Sequence, residues 1–280
     1  MIKNKDVVMQ VENLTKVFGD GCDDCIGHTE HLHKNVCPSC QSVYACRDVS
    51  FDVNKGEILG IVGESGSGKS TVMKMLYFDQ HQTQGQCYIS NFEEGEQDVF
   101  SVSSQKQGQI KNEMLGMVYQ NPIHGLKINF SSISNIAEKL IASGSRNVKE
   151  MTERGDYFLG KVKIPLNRKY DPPIHFSGGM QQRVQIAKAL SNYPPILLLD
   201  EVTTGLDLSV QADVLELIKA IQREMQVSMI VVSHDLAIIR MLCDRTLVML
   251  NGEVIEHGVT DQILEDPKHE YTQQLVYSIL

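Results

Sequence analysis

No stretch of this chain approaches the roughly 20 consecutive apolar residues that span a bilayer. The N-terminal MIKNKDVVMQ also lacks the apolar core of a signal peptide. A cytoplasmic location is therefore expected, with any membrane span supplied by a partner. Basic residues are outnumbered, 26 Lys+Arg against 35 Asp+Glu for a net charge of -9, and they form no run. Such a surface argues against a nucleic-acid partner, whose phosphates need clustered cations. There is no internal repeat and no low-complexity tract. What remains is 280 residues, enough for one sizeable core or a domain with a lobe.

Two glycine-bearing motifs organise that length. GESGSGKS runs from Gly63 to Ser70 in the G-x-x-x-x-G-K-S spacing of a phosphate-binding loop, after the apolar run ILGIV and before TVMKMLYF. Glycines let the backbone curl so that its N–H groups face phosphate oxygens, Lys69 brings a cation to the outer phosphates, and the Ser70 hydroxyl can ligate magnesium. Gly63, Glu64, Ser65, Gly66, Ser67, Gly68, Lys69, Ser70 and Thr71 are thus candidate nucleotide ligands. ILLLDE, Ile196 to Glu201, reads as a buried strand delivering two carboxylates to a sheet edge. Asp200 is placed to share the magnesium with Ser70, and Glu201 to polarise the attacking water, which is most of what phosphoryl transfer asks of a protein.

These motifs, in this order, resemble the ATP-binding cassette (ABC) ATPase family from about residue 8 to the end. FSGGM at Phe176 to Met180 is similar to the family signature, TGLD at Thr204 to Asp207 to its D-loop, and VSHD to the segment carrying a switch histidine, here His234. The resemblance implies a Q-loop glutamine at Gln120 that also reaches magnesium, adenine stacked on Phe18 with Tyr44 as an alternative, γ-phosphate contacts from Ser177, Gly178 and Gly179, and Asp207 of the D-loop among the nucleotide-site residues. It implies ATP and Mg2+ as cofactors and a dimer, homotypic or with a paired ABC protein, in which one signature closes on the other's ATP. Phe176, Met180 and Val202 depart from the usual leucine, glutamine and proline. The fold it implies is α/β: a P-loop NTPase of ABC type with a mainly parallel sheet, an antiparallel subdomain and a helical lobe at about 120–192, all within 1–280.

An insertion at 20–46 is foreign to ordinary members. Cys22-x-x-Cys25 and Cys37-x-x-Cys40 form two knuckles suited to one tetrahedral ion. Zinc is the expected metal; iron, or unliganded thiols, stay open. His28, His31 or His33 could replace a thiol, although four cysteines already complete the shell. Such a site is structural, and the spacing is not the C-x3-C-x2-C of radical enzymes. Cys46, Cys87 and Cys243 read as buried small hydrophobes.

Within the family, the stretches 119–140, 163–183 and 244–280 are similar to ATP-binding proteins of the bacterial carbon-phosphorus lyase system. That implies a soluble lyase core complex as partner. A membrane permease for oligopeptide or nickel import is the alternative, since importer ATPases share an ending like DPKHEYTQQL. A docking surface is expected along 121–130, with Ile123 and Leu126 as anchors and Lys127 on the rim. In coarse structure, VVMQVENL reads as a strand, SFDVNKGEILGIVG as a turn and a strand, and NFEEGEQDVFSVSSQKQGQ as a surface excursion. PPILLLDE, VSMIVVSHD and RTLVMLNGEVIEHG read as further strands.

Overall fold

The structure is a computed structural model that describes residues 1–26 and 32–277. In chain order its strands are β1 (Val7–Phe18), β2 (Val43–Asn54), β3 (Ile58–Val62), β4 (Gln84–Ile89), β5 (Leu115–Val118), β6 (Ile196–Asp200), β7 (Ser228–Ser233), β8 (Arg245–Leu250) and β9 (Glu253–Val259). The helices are α1 (Lys69–Leu76), α2 (Ser104–Glu113), α3 (Pro122–Gly125), α4 (Ser132–Ala142), α5 (Val148–Lys161), α6 (Gly178–Leu190), α7 (Leu208–Met225), α8 (Leu236–Leu242), α9 (Thr260–Glu265) and α10 (Glu270–Tyr277).

The chain divides into two compact units. The first comprises Met1–Asn54, Ile58–Val102 and Val231–Leu280, and the second Lys55–Glu57 and Ser103–Ile230. β7 begins in the second and ends in the first.

In the first unit, β1 pairs antiparallel with β2 on one side and β4 on the other. β3 runs parallel to β8, which turns back into antiparallel β9. β3 is buried at every position, as expected of a strand covered on both faces, whereas β9 is half-exposed.

In the second unit, β5 and β6 are parallel and buried throughout. The helices around them start on side-chain caps: Ser103, Ser131, Asn147, Ser177 and Asp207 each accept a first-turn N–H. Each cap contributes about 1 kcal/mol by satisfying a donor that the helix cannot. α7 turns Val214, Leu215, Leu217, Ile218 and Ile221 inward, and each such burial contributes about 1.5–3 kcal/mol.

Parallel pairs, an antiparallel three-stranded sheet and a helix-rich stretch match the expected fold class. Two local expectations are corrected. The segment SFDVN belongs to strand β2, because pairing with β1 overrides the turn residues that follow it. The stretch 91–109 is more than an excursion: Val99 and Phe100 are buried, Phe100 meets Phe78 edge-on at 6.0 Å between centroids, and α2 starts at Ser104. The run from Arg245 to Gly258 resolves into a hairpin of two strands. No described helix is long and apolar enough to cross a membrane.

Candidate functional site

The phosphate loop joins β3 to α1 within the first unit. Gly63 has φ +154° and Gly68 φ +104°, and a Cβ at either would lie 2.1 Å from a carbonyl oxygen, that of Met249 or Ala45. Only glycine fits such approaches, so the curl of the loop is set by its neighbours as well as its own sequence. Lys69, the first residue of α1, is buried, and its Nζ donates to the Gly63 and Glu64 carbonyls, each at 2.7 Å, and to Ser67 Oγ at 3.3 Å. The ammonium is thereby bent back over the loop in which phosphates would sit. Ser65 and Gly66 form its exposed crest, and Ser70 and Thr71 are half-buried at the start of α1.

Two further predicted residues belong to this unit. Phe18 ends β1 with 42% of its surface exposed, and Lys16 Nζ lies 5.2 Å above its ring. Tyr44, the alternative stacking residue, is excluded from that role: it is buried and its hydroxyl donates to the Cys25 carbonyl at 2.8 Å. His234 is exposed just past the end of β7, ahead of Asp235, which caps α8.

The second unit holds the acids. Asp200 closes β6 and is buried, while Glu201 takes φ +47°, a left-handed conformation that costs a non-glycine residue of order 1 kcal/mol and occurs at functional turns. Glu201 Oε2 accepts from Gln120 Nε2 at 2.9 Å and from the Thr204 hydroxyl at 3.3 Å. The Q-loop glutamine and the second acid of ILLLDE are thus in direct contact. Ser177 caps α6 through Met180 N–H, and Gly179 has no room for a Cβ, which would meet Val210 at 2.3 Å. Asp207 caps α7 through Val210 N–H at 3.0 Å; that bond, with the Ser209 hydroxyl, holds its carboxyl below the usual carboxylate range. A cavity of about 310 Å³ is lined by Gln120, Gly178, Gln182, Val202, Thr204 and Leu206.

Sequence reasoning missed Gln185. Buried in α6, it accepts from Tyr119 N–H at 2.8 Å and donates to Tyr119 C=O at 3.1 Å, so the helix that starts at the signature grips the residue before Gln120. The only sequence signal is a glutamine on the apolar face of that helix. The departures in the signature also have a cause. Phe176 and Met180 both lie against Arg168, whose guanidinium is 4.4 Å from the Phe176 ring centroid and whose Nη1 is 3.8 Å from Met180 Sδ.

The insertion builds a second centre. Cys25 N–H and Ile26 N–H donate to Cys22 C=O at 3.0 and 2.9 Å, and Gln41 N–H donates to Cys37 C=O at 2.9 Å, so each C-x-x-C segment is a tight knuckle. Ser39 Oγ donates to Asp24 across them at 2.7 Å. The four sulfurs lie within 4.8 Å of one another, with Cys22–Cys25 at 3.8 Å, Cys22–Cys37 at 3.7 Å and Cys25–Cys40 at 3.8 Å. A tetrahedron with metal–sulfur arms of about 2.3 Å has edges of about 3.8 Å, whereas a disulfide needs about 2.05 Å. Cys40 pushes the Cys22 thiol up to about 12, while the Ser42 hydroxyl and N–H bring Cys40 down to about 6. Crowded thiols resist joint ionisation unless a cation shares them. The residues present fit a four-thiolate ion.

His33 is exposed in a turn closed by Val36 and stands outside the sulfur cluster; His28 and His31 lie outside the described residues. Cys46, Cys87 and Cys243 are buried, as expected. A larger cavity, about 520 Å³, lies beside the insertion and is lined by Val17, Gly21, Ile26, Tyr44, Arg47 and Thr83.

These features define an ATP-binding cassette. The family model described as "ABC transporter" matches residues 46–204, and the chain belongs to that family as an ABC-type ATPase. It is 43% identical over 233 residues, 83% of this chain and 90% of the other, to PhnK of Escherichia coli (strain K12), an ATP-binding protein named for phosphonates utilization. It is 37% identical over 248 residues to the glutathione import ATP-binding protein GsiA of Escherichia coli O157:H7, covering 85% of this chain but 40% of GsiA. Among solved structures it matches the dimeric ATP-binding cassette MJ0796 in a post-hydrolysis state bound to ADP and Pi, with a TM-score of 0.74 and 27% identity over 90% of this chain and 98% of that one.

Proposed function

We propose that this chain is the ATP-hydrolysing subunit of a phosphonate carbon-phosphorus lyase system, in which ATP-driven closure of two cassettes remodels a soluble lyase core complex. The observation that carries this reading is the 43% identity to PhnK along 90% of that protein.

In this reading Phe18 stacks on adenine, a contact of about 1–3 kcal/mol by analogy with base–aromatic stacking. Gly63, Glu64, Ser65, Gly66, Ser67, Gly68 and Thr71 surround the phosphates. Lys69 would exchange its carbonyl partners for phosphate oxygens. Ser70, Asp200 and Gln120 are the residues that would hold magnesium, which would neutralise charge on the transferred phosphoryl group. Glu201, oriented by Gln120 and Thr204, polarises the attacking water, and His234 reaches the γ-phosphate. Ser177, Gly178 and Gly179 offer the N-terminal N–H groups of α6 to ATP held by a second cassette, with Asp207 beside that interface. Zinc, held by Cys22, Cys25, Cys37 and Cys40, is a closed structural ion that fixes the insertion; four thiolates leave no open position for substrate.

Affinity purification of the tagged chain with ATP, from cells grown on a phosphonate, tests the partner. Soluble lyase subunits are expected. A transmembrane permease pair without lyase subunits would replace this reading with an importer ATPase, the function carried in the name of GsiA.

A further inference from the structure

The C-terminal motif DPKHEYTQQL has no place in the chemistry above, yet several of its polar groups are closely fixed. Two of its backbone N–H groups, those of Lys268 and His269, donate to the carboxylate of Glu256 in β9, at 2.7 Å to Oε1 and 3.0 Å to Oε2. His269 then caps α10, its Nδ1 accepting Tyr271 N–H at 3.1 Å and its carbonyl accepting Gln273 N–H at 3.0 Å. Gln273 Nε2 donates to the Pro267 carbonyl at 3.0 Å. These bonds hold one turn of chain, and what that turn presents is Tyr271.

Tyr271 is 9% exposed, and its hydroxyl accepts the backbone N–H of Glu64 at 2.9 Å. Glu64 is the second residue of the phosphate loop. Its carbonyl is one of the two that receive Lys69 Nζ, and it also accepts Ser67 N–H at 3.2 Å. One residue of the loop is thus pinned on its N–H side by the C-terminal segment and on its C=O side by the phosphate-binding lysine. Without the hydroxyl, Glu64 N–H would turn to water, and the open end of the loop would lose a tether that comes from outside the loop.

We propose that Tyr271 is a positioning residue for nucleotide binding: through the Glu64 amide it sets the open end of the phosphate loop, and through the Glu256 anchor of its own segment it couples that loop to β9. This inference rests on the reading of Gly63 to Ser70 as the ATP site. Its partner is the loop backbone rather than ATP, so it acts on how well the loop is formed before phosphate arrives, a contribution to affinity through preorganisation.

Tyr271→Phe keeps the ring and removes the acceptor. The expected result is a KM for ATP raised about three- to tenfold, the scale of one hydrogen bond, with kcat within about twofold of wild type and an unchanged melting temperature. Glu256→Ala should raise KM in the same direction by releasing the motif, and the double variant should be no worse than the poorer single one, because both act through one contact. A wild-type KM in Tyr271→Phe overturns the proposal, as does a joint fall of kcat and melting temperature with no separate KM effect, which marks a packing role. Lys69→Ala separates the two levels: if it binds ATP normally the nucleotide-site reading itself fails, and if it loses ATP while Tyr271→Phe is normal only the present inference does.

Discussion

Lys139 shows how far a single side chain can be pushed by its surroundings. It is buried in α4, donating to the Lys111 and Leu115 carbonyls at 2.8 and 2.9 Å. Burial, with the Lys111 and Lys188 charges, lowers it from the ordinary 10.5 to about 7. Between those two values the unfolded chain holds a proton that the native chain has released, so stability rises with pH across that window and is flat below it. Unfolding free energies from urea titrations at pH 7 and pH 9 should therefore increase more in the wild type than in Lys139→Met, by a difference on the order of 1 kcal/mol. Equal pH dependence in the two proteins would contradict the assignment. At this scale the loop between β3 and α1 was legible, because the spacing of its glycines and lysine is set by backbone sterics and shows in the sequence alone. Gln185 and Tyr271 were not, since each acts on a backbone group far away in sequence, and no local pattern announces such a contact.

Among the elements, the insertion makes the sharpest prediction. Its sulfur spacings suit a four-coordinate ion, and thiolate ligands bind metal only when deprotonated. Protein purified without chelator should carry about one equivalent of zinc and lose it on acidification. Elemental analysis giving less than about half an equivalent of zinc and no iron would contradict the structural-metal reading. Cys22→Ser or Cys37→Ser should release the ion and loosen the knuckles while ATP binding persists, because opening a closed surface loop costs the core little. The knuckles could be read from sequence, as could β3, β6 and β7, whose continuous apolar runs need no partner to identify them. β2 was obscured by the turn residues that follow it, and α2 by its polar composition, with Ile110 its one buried residue. Both are fixed by tertiary pairing or packing, which local patterns register weakly.

For the whole molecule, the question is which surface meets the partner. Of the two anchors expected on the docking stretch, Ile123 is 60% exposed, but Leu126 is 5% exposed and packs inside the second unit, so it is withdrawn as a contact residue. Lys127 is exposed and paired with Glu138 at 2.7 Å. If the proposed lyase partner is the right one, Lys127→Glu should slow association with it, with an effect that shrinks as salt rises, while leaving basal ATPase intact. An unchanged on-rate, measured on surface-immobilised complex, would move the interface elsewhere.

In the catalytic cycle proposed above, everything turns on Glu201 as the group that polarises water. The most direct test is steady-state phosphate release by Glu201→Gln beside a measurement of bound ATP. Loss of a general base typically costs about 10²–10⁴-fold, so turnover should fall by at least about 100-fold while ATP stays bound and the ATP-bound dimer accumulates. Turnover of Glu201→Gln at the wild-type rate would contradict the account.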